Sequence, residues 1–193
     1  MEFTPEELDQ LIAGNQGSLW LNNADLSNAD LRQADLTKAR MLRSNLSGAD
    51  LSQADLSGAD LTYADLSQAN LSGAKLRMTA LSGANLSGAN LMQADLEEAD
   101  LSRTIMIGAN LSQANLIRVN FSEANLSRTD LSEARLNEAN LSETHLIEAN
   151  LRDADLSQAN IREADMSGAI LEGANLDGAS TEFAVLPDGT IDN

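Results

Sequence analysis

A leucine recurs at every fifth residue from Leu21 to Leu176, and this period limits what the chain can fold into more than any other feature. Stepping by five visits 32 positions without a slip: 27 are Leu, and the others are Met41, Met106, Phe121, Ile161 and Met166. Two residues before these lies a column of 31 sites, of which 25 are Ala and the rest Ser44, Thr79, Thr104, Val119, Thr129 and Thr144. In an α-helix a five-residue step advances by roughly 140°, so the leucines would scatter around the cylinder. On a straight strand the step is odd, so they would alternate between two faces. Both difficulties vanish if the chain turns a corner about every five residues, so that each leucine and the alanine before it point into one interior. The period predicts a solenoid whose core contains Leu51, Leu56, Leu61, Leu111 and Phe121, with Ala49, Ala54 and Ala59 in the narrow column.

The repeated phrase reads A-[D/N]-L-[S/T/R]-x, as in Ala54-Asp55-Leu56-Ser57-Gly58. It resembles the pentapeptide-repeat family over about four-fifths of the chain. The resemblance implies an all-β fold, a right-handed quadrilateral β-helix with four pentapeptides per coil. Thirty-two units would make about eight coils, and stacking at the ~4.8 Å strand spacing gives a rod about 38 Å long. Glycines at the fifth letter, such as Gly48, Gly58 and Gly88, suit corners that need positive φ.

The ends of a solenoid expose unpaired strand edges and an open core, and need covering. Both termini leave the repeat. Thr4-Pro5-Glu6-Glu7 reads as a helix start, with Thr4 as cap, Pro5 in the first turn and Glu7 completing a capping box. Leu8, Leu11 and Ile12 form one apolar face before Gly14, which predicts a short helical lid over the first coil with Trp20 or Leu19 beneath it. At the other end Phe183, Val185 and Leu186 precede the turn signature Pro187-Asp188-Gly189-Thr190, a tail similar to those of many cyanobacterial family members. The expected organisation is an N-terminal cap over 1–20, a repeat domain over 21–180 and a C-terminal cap and tail over 181–193.

Thirty acidic residues against 12 basic give a net charge of −18, which argues against direct nucleic-acid binding, since phosphate neutralisation needs Lys and Arg. With no cysteine, disulfide and thiolate chemistry are excluded. No run approaches membrane-spanning length, and the N-terminus carries Glu2, Glu6 and Glu7 with no apolar h-region, so the expected address is the cytoplasm.

Residues twenty apart should stack in columns along the rod. One such column runs Asp30, Asp50, Asn70, Asn90, Asn110, Asp130, Asn150, where Asn steps can hydrogen-bond and the Asp30–Asp50 step repels. Another, Glu98, Arg118, Glu138, alternates sign and invites cross-coil pairing. General acid and base work needs paired carboxylates in a cleft that splits their pKa values, and a straight rod supplies columns without an evident cleft. The repeat already accounts for the Asp positions, so no catalytic residue is assigned. No loop offers the oxygen ligands of a hard-cation site, and there is no Gly-rich phosphate loop, so neither metal nor cofactor is expected. His145, the one histidine, occupies an ordinary outward position.

Apolar residues where the repeat wants polar ones are more informative: Leu42, Met78, Met92, Ile105, Ile107, Ile117, Ile147 and Ile170. Ile105 and Ile107 flank Met106, and Ile147 lies forty residues after Ile107, two coils along the same side. These three make a candidate interaction patch. The expected function is a non-enzymatic protein-binding or scaffold module, since stacked repeats present extended surfaces without active sites, and some relatives with similar tails act as regulators through protein contacts. The alternative is an acidic DNA mimic, like family members that occupy the DNA site of gyrase. Its support is −18 over ~38 Å, about one charge per 2.1 Å against ~1.7 Å in duplex DNA. Against it stand the short turn-rich tail and the lack of any insertion between 21 and 176.

Overall fold

A computed structural model of the chain describes residues 19–192. The central side chains are the interior: Leu51, Leu56, Leu61, Leu111 and Phe121 are all fully buried, as are Ala49, Ala54 and Ala59. One large and one small side chain per five residues fill a narrow core with no room for conventional layers. Where the small column carries a hydroxyl, the buried group is hydrogen-bonded, as burial requires. Thr104 Oγ1 donates to Leu101 O at 2.7 Å, and Thr144 Oγ1 to Phe121 O at 2.9 Å.

Residues twenty apart are paired in parallel, beginning with Trp20–Arg40, Asp25–Asn45, Asp30–Asp50 and Asp35–Asp55 and continuing in the same register. Four bridge ladders therefore run along the molecule, one per side, and a coil takes twenty residues. The bonding alternates in direction. Leu56 N–H donates forward to Lys75 O at 2.7 Å, while Asp55 N–H donates back to Ala34 O at 2.9 Å. Each coil is thereby tied to both neighbours by main chain alone. The result is a β-helix, as the family resemblance implies.

The corners explain the period. After each central residue the chain closes a four-residue turn, as where Ala59 N–H donates to Leu56 O at 2.9 Å. The third residue of the turn takes positive φ: +67° at Gly58, but also +58° at Gln53, +57° at Tyr63 and +59° at Glu163. Gly48, Gly58 and Gly88 take this conformation as expected, yet about half of the corners are occupied by Gln, Glu or Arg. A side chain in this region costs on the order of 1 kcal/mol. From Asn23 to Gly168 two main-chain hydrogen bonds offset it at each corner: the turn bond, and one from the positive-φ residue to the next coil, such as Gln53 N–H to Ser72 O at 3.0 Å.

The helical lid expected from Thr4 to Gly14 lies outside the described residues. Of the two side chains expected beneath it, Leu19 is core, whereas Trp20 faces outward and is already bridged to Arg40. At the other end the turn signature reverses the chain. Gly189 has φ +83°, Leu186 N–H donates to Thr190 O at 2.7 Å, and Ile191 pairs antiparallel with Val185. Among the described residues no helix is long and apolar enough to cross a membrane.

Leu111→Ala should lower stability by about 2–5 kcal/mol through lost transfer energy and a cavity, and Ala94→Leu by about 1–3 kcal/mol through overpacking. Chemical denaturation of the two variants checks this; a neutral Ala94→Leu would contradict the tight fit of the small column.

Candidate functional site

The surface is built from the residue before each leucine and the two after it. The first of these sits mid-side in a bridge ladder, and its side-chain oxygen is committed locally. Asp50 and Asp55 each accept a hydrogen bond from the backbone N–H two residues on, at 3.0 Å. At most places where Asn follows twenty residues later, its amide donates back to the same oxygen. Asn70 Nδ2 donates to Asp50 Oδ1 at 3.1 Å, Asn90 Nδ2 to Asn70 Oδ1 at 3.2 Å, and Asn150 Nδ2 to Asp130 Oδ1 at 2.9 Å. The column from Asp30 to Asn150 thus forms side-chain ladders at several of its Asn steps. At the Asp30 end the charge is met within the coil: Arg32 Nε and an Arg32 terminal nitrogen donate to Asp30 at 2.7 and 2.5 Å. That contact, with the Arg32 backbone N–H, holds the Asp30 carboxyl down at about 2.

At the corners, charge pairs run forward from coil to coil. Arg103 meets Glu123 at 2.9 Å, Arg128 meets Glu148 at 2.8 Å, and Arg162 meets Glu182 at 2.8 Å. The Arg103 guanidinium pulls Glu123 below the ordinary glutamate range. In the Glu98–Arg118–Glu138 column, Arg118 bonds Glu98 at 2.6 Å, and its second acidic partner is Glu97, at 2.7 Å, in place of Glu138. Glu97 also takes Arg77 at 2.5 Å, and Arg77 reaches Asp95 at 3.4 Å. Five charged groups thus form one network over two coil steps.

No cluster of acids or histidine among the described residues could hold a metal ion. His145 stands two steps above Ile105 in one bridge ladder, through Asn125. Ile105, Ile107 and Ile147 are 46%, 42% and 36% exposed. Ile105 is mid-side. Ile107 and Ile147 occupy the adjoining corner two coils apart, roughly 10 Å by strand spacing, with Ser127 between them. Nothing packs within 4 Å of where a side chain would start on Gly108, so the corner beside Ile107 is open. Met78 and Met92 are exposed at other corners and do not join this patch, whereas Ile170 lies mid-side on the face that adjoins the Ile107 and Ile147 corner, one coil beyond Asn150.

Sequence reasoning missed two aromatic contacts. The Arg40 guanidinium lies 4.5 Å from the Trp20 ring centre, and the Arg43 guanidinium 5.8 Å from that of Tyr63. Each pair is separated by twenty residues, the coil length, and that spacing was the available signal.

A family model described as pentapeptide repeats matches the chain in eight copies, over residues 21–53, 43–77, 79–113, 104–142, 114–153 and 139–178. Among solved structures the chain is similar to HetL, a pentapeptide repeat protein involved in heterocyst differentiation regulation from the cyanobacterium Nostoc sp. strain PCC 7120. The identity is 36%, all of both chains is covered, and the TM-score is 0.53. QnrB1, a plasmid-mediated fluoroquinolone resistance protein, shares the fold at 22% identity over 89% of this chain and 84% of its own, with a TM-score of 0.74. No curated protein matches.

Two outcomes follow from the surface bonding. Asp25, Asp30, Asp165 and Glu123 all have lowered pKa values in the fold. Their stabilisation is complete above the unfolded carboxylate value near 4 and lost as pH falls through the folded values, to about 2 for Asp30. The melting temperature should therefore drop between pH 4 and 2. In Asp165, whose carboxylate accepts bonds from the Ser167 hydroxyl and N–H, the Asp165→Asn change should blunt that drop. Separately, Arg118→Ala should lower the melting temperature more than Arg162→Ala, because Arg118 joins a network and Arg162 a single exposed pair. Thermal unfolding by circular dichroism reads both.

Proposed function

Because the chain belongs to the pentapeptide-repeat family, we propose that it is a non-enzymatic protein-binding or scaffold module. In this reading the rod is a right-handed quadrilateral β-helix of about eight coils, with a cap over 1–20, the repeat over 21–180 and a C-terminal cap over 181–193. The observation that carries the function is the exposure of Ile105, Ile107 and Ile147 on one side of a surface whose ladder carboxylates are largely engaged in structural hydrogen bonds. Apolar side chains on a rigid polar frame suit the centre of a protein contact. HetL's part in differentiation regulation supports a regulatory setting for such a contact, without fixing the process.

A second reading, an acidic DNA mimic acting on a DNA-binding enzyme such as gyrase, is favoured by the distribution of charge. Residues 19–96 hold 8 acidic and 6 basic side chains, whereas residues 97–193 hold 18 and 6. The net −12 of the second part spans roughly 23 Å of rod, about one charge per 1.9 Å, close to duplex DNA.

Affinity capture from a lysate of the source cell, with wild type, Ile107→Asp and Met78→Asp, at the opposite corner, as baits, tests the first reading. A partner recovered by wild type and Met78→Asp but lost with Ile107→Asp supports it; equal recovery by all three removes the patch. A gyrase supercoiling assay tests the second, and no inhibition at micromolar protein sets it aside.

A further inference from the structure

We propose a second binding surface, on the first described coils: a basic and aromatic side that takes an acidic segment of a protein partner. It is formed by Lys38, Arg40 and Arg43 with Trp20, Leu42 and Tyr63. The register places the three cations across one side of a single coil, Lys38 at one corner, Arg40 mid-side and Arg43 at the next corner. Trp20 lies one coil before Arg40 and Tyr63 one coil after Arg43.

Cations elsewhere on this protein are spent on its own carboxylates. Arg32, Lys75, Arg77, Arg103, Arg118, Arg128, Arg152 and Arg162 all have acidic partners within 4 Å. Among the described residues Lys38, Arg40, Arg43 and Arg135 have none, and three of those four share this side. Asp60 is the next ladder residue after Arg40, yet the guanidinium turns the other way, onto the Trp20 ring. Both aromatic rings are largely in water, at 68% for Trp20 and 59% for Tyr63. They hold Arg40 and Arg43 in place by their faces while leaving guanidinium N–H groups without a hydrogen-bond acceptor among the described residues. Positioned Arg, exposed Trp and Tyr, and half-buried Leu42 together match the composition of protein-contact centres.

Charge fixes the partner. Carboxylates from a polypeptide need only these few donors. A nucleic acid would continue along the rod into residues 97–193 with their net −12, whereas the coils around this side are nearly neutral. At physiological salt the acidic part, some three coils or ~14 Å away, is beyond the ~8 Å screening length. The surface is separate from the Ile105–Ile107–Ile147 patch, so either can fail alone.

Trp20 is the single tryptophan and reports on this side directly. Its emission in the full chain is titrated with a decaglutamate peptide, with decalysine and a ten-residue oligothymidylate as comparison arms. The expected result is a saturable change with decaglutamate only, weakened about fivefold or more in Lys38→Gln/Arg43→Gln, which leaves the Trp20–Arg40 stack in place, and unaltered in Arg162→Gln. Absence of saturation, an equal response from Lys38→Gln/Arg43→Gln, or tighter binding of the oligothymidylate overturns the proposal. So does much tighter decaglutamate binding by Glu6→Gln/Glu7→Gln, which would make the chain's own acidic residues 1–18 the occupant.

Discussion

The structure depends on a corner that can be made by almost any residue. Every fifth position turns through positive φ, and the two main-chain hydrogen bonds formed there hold Gln, Glu and Arg in a conformation that a lone side chain would avoid. Because the corner is a main-chain device, it leaves the side chain at that position free to vary. The interior is the reverse case. Leu and Ala are held to size by close packing, and the few hydroxyls admitted, such as Thr104 and Thr144, must find a carbonyl.

This division explains what was legible in the sequence. The unbroken Leu column and the Ala column before it have one geometric solution, so Leu51, Leu111 and Ala54 could be placed inside from spacing alone. The positive-φ corners at Gln53 or Glu163 could not, because nothing in those side chains asks for the conformation; cooperation between coils imposes it. The twenty-residue spacing was enough to foresee Asn90 bonding to Asn70 and Arg118 bonding to Glu98. It did not give the choice between Glu97 and Glu138 as the second partner of Arg118, because reach around a corner depends on rotamers. Of the candidate interaction residues, Ile105, Ile107 and Ile147 stood out by breaking the polar pattern. Trp20 and Tyr63 did not, since only the folded register sets each against an arginine.

An acidic surface is commonly read as a single property. Here it has two parts. In the bridge ladders, several Asp residues such as Asp50 and Asp130 act as acceptors that close turns and receive Asn amides from the following coil. At the corners, Glu97, Glu123, Glu148, Glu172 and Glu182 answer Arg from the preceding coil. Net charge remains after this pairing, and most of it gathers in residues 97–193. The two functional readings use different features of the molecule for this reason, one the apolar interruption and the other the uncompensated charge.

The core repeats every five residues, but the ladders repeat every twenty. Gaining or losing one pentapeptide would leave each leucine facing inward while rotating everything beyond it by one side of the square. Asn residues would leave the Asp residues they serve, and Arg would lose its Glu, with little disturbance to the interior. A protein of this kind can therefore exchange its entire exterior pattern in one slip of the gene, and only multiples of four units preserve it. The surface is inherited in a coarser unit than the fold.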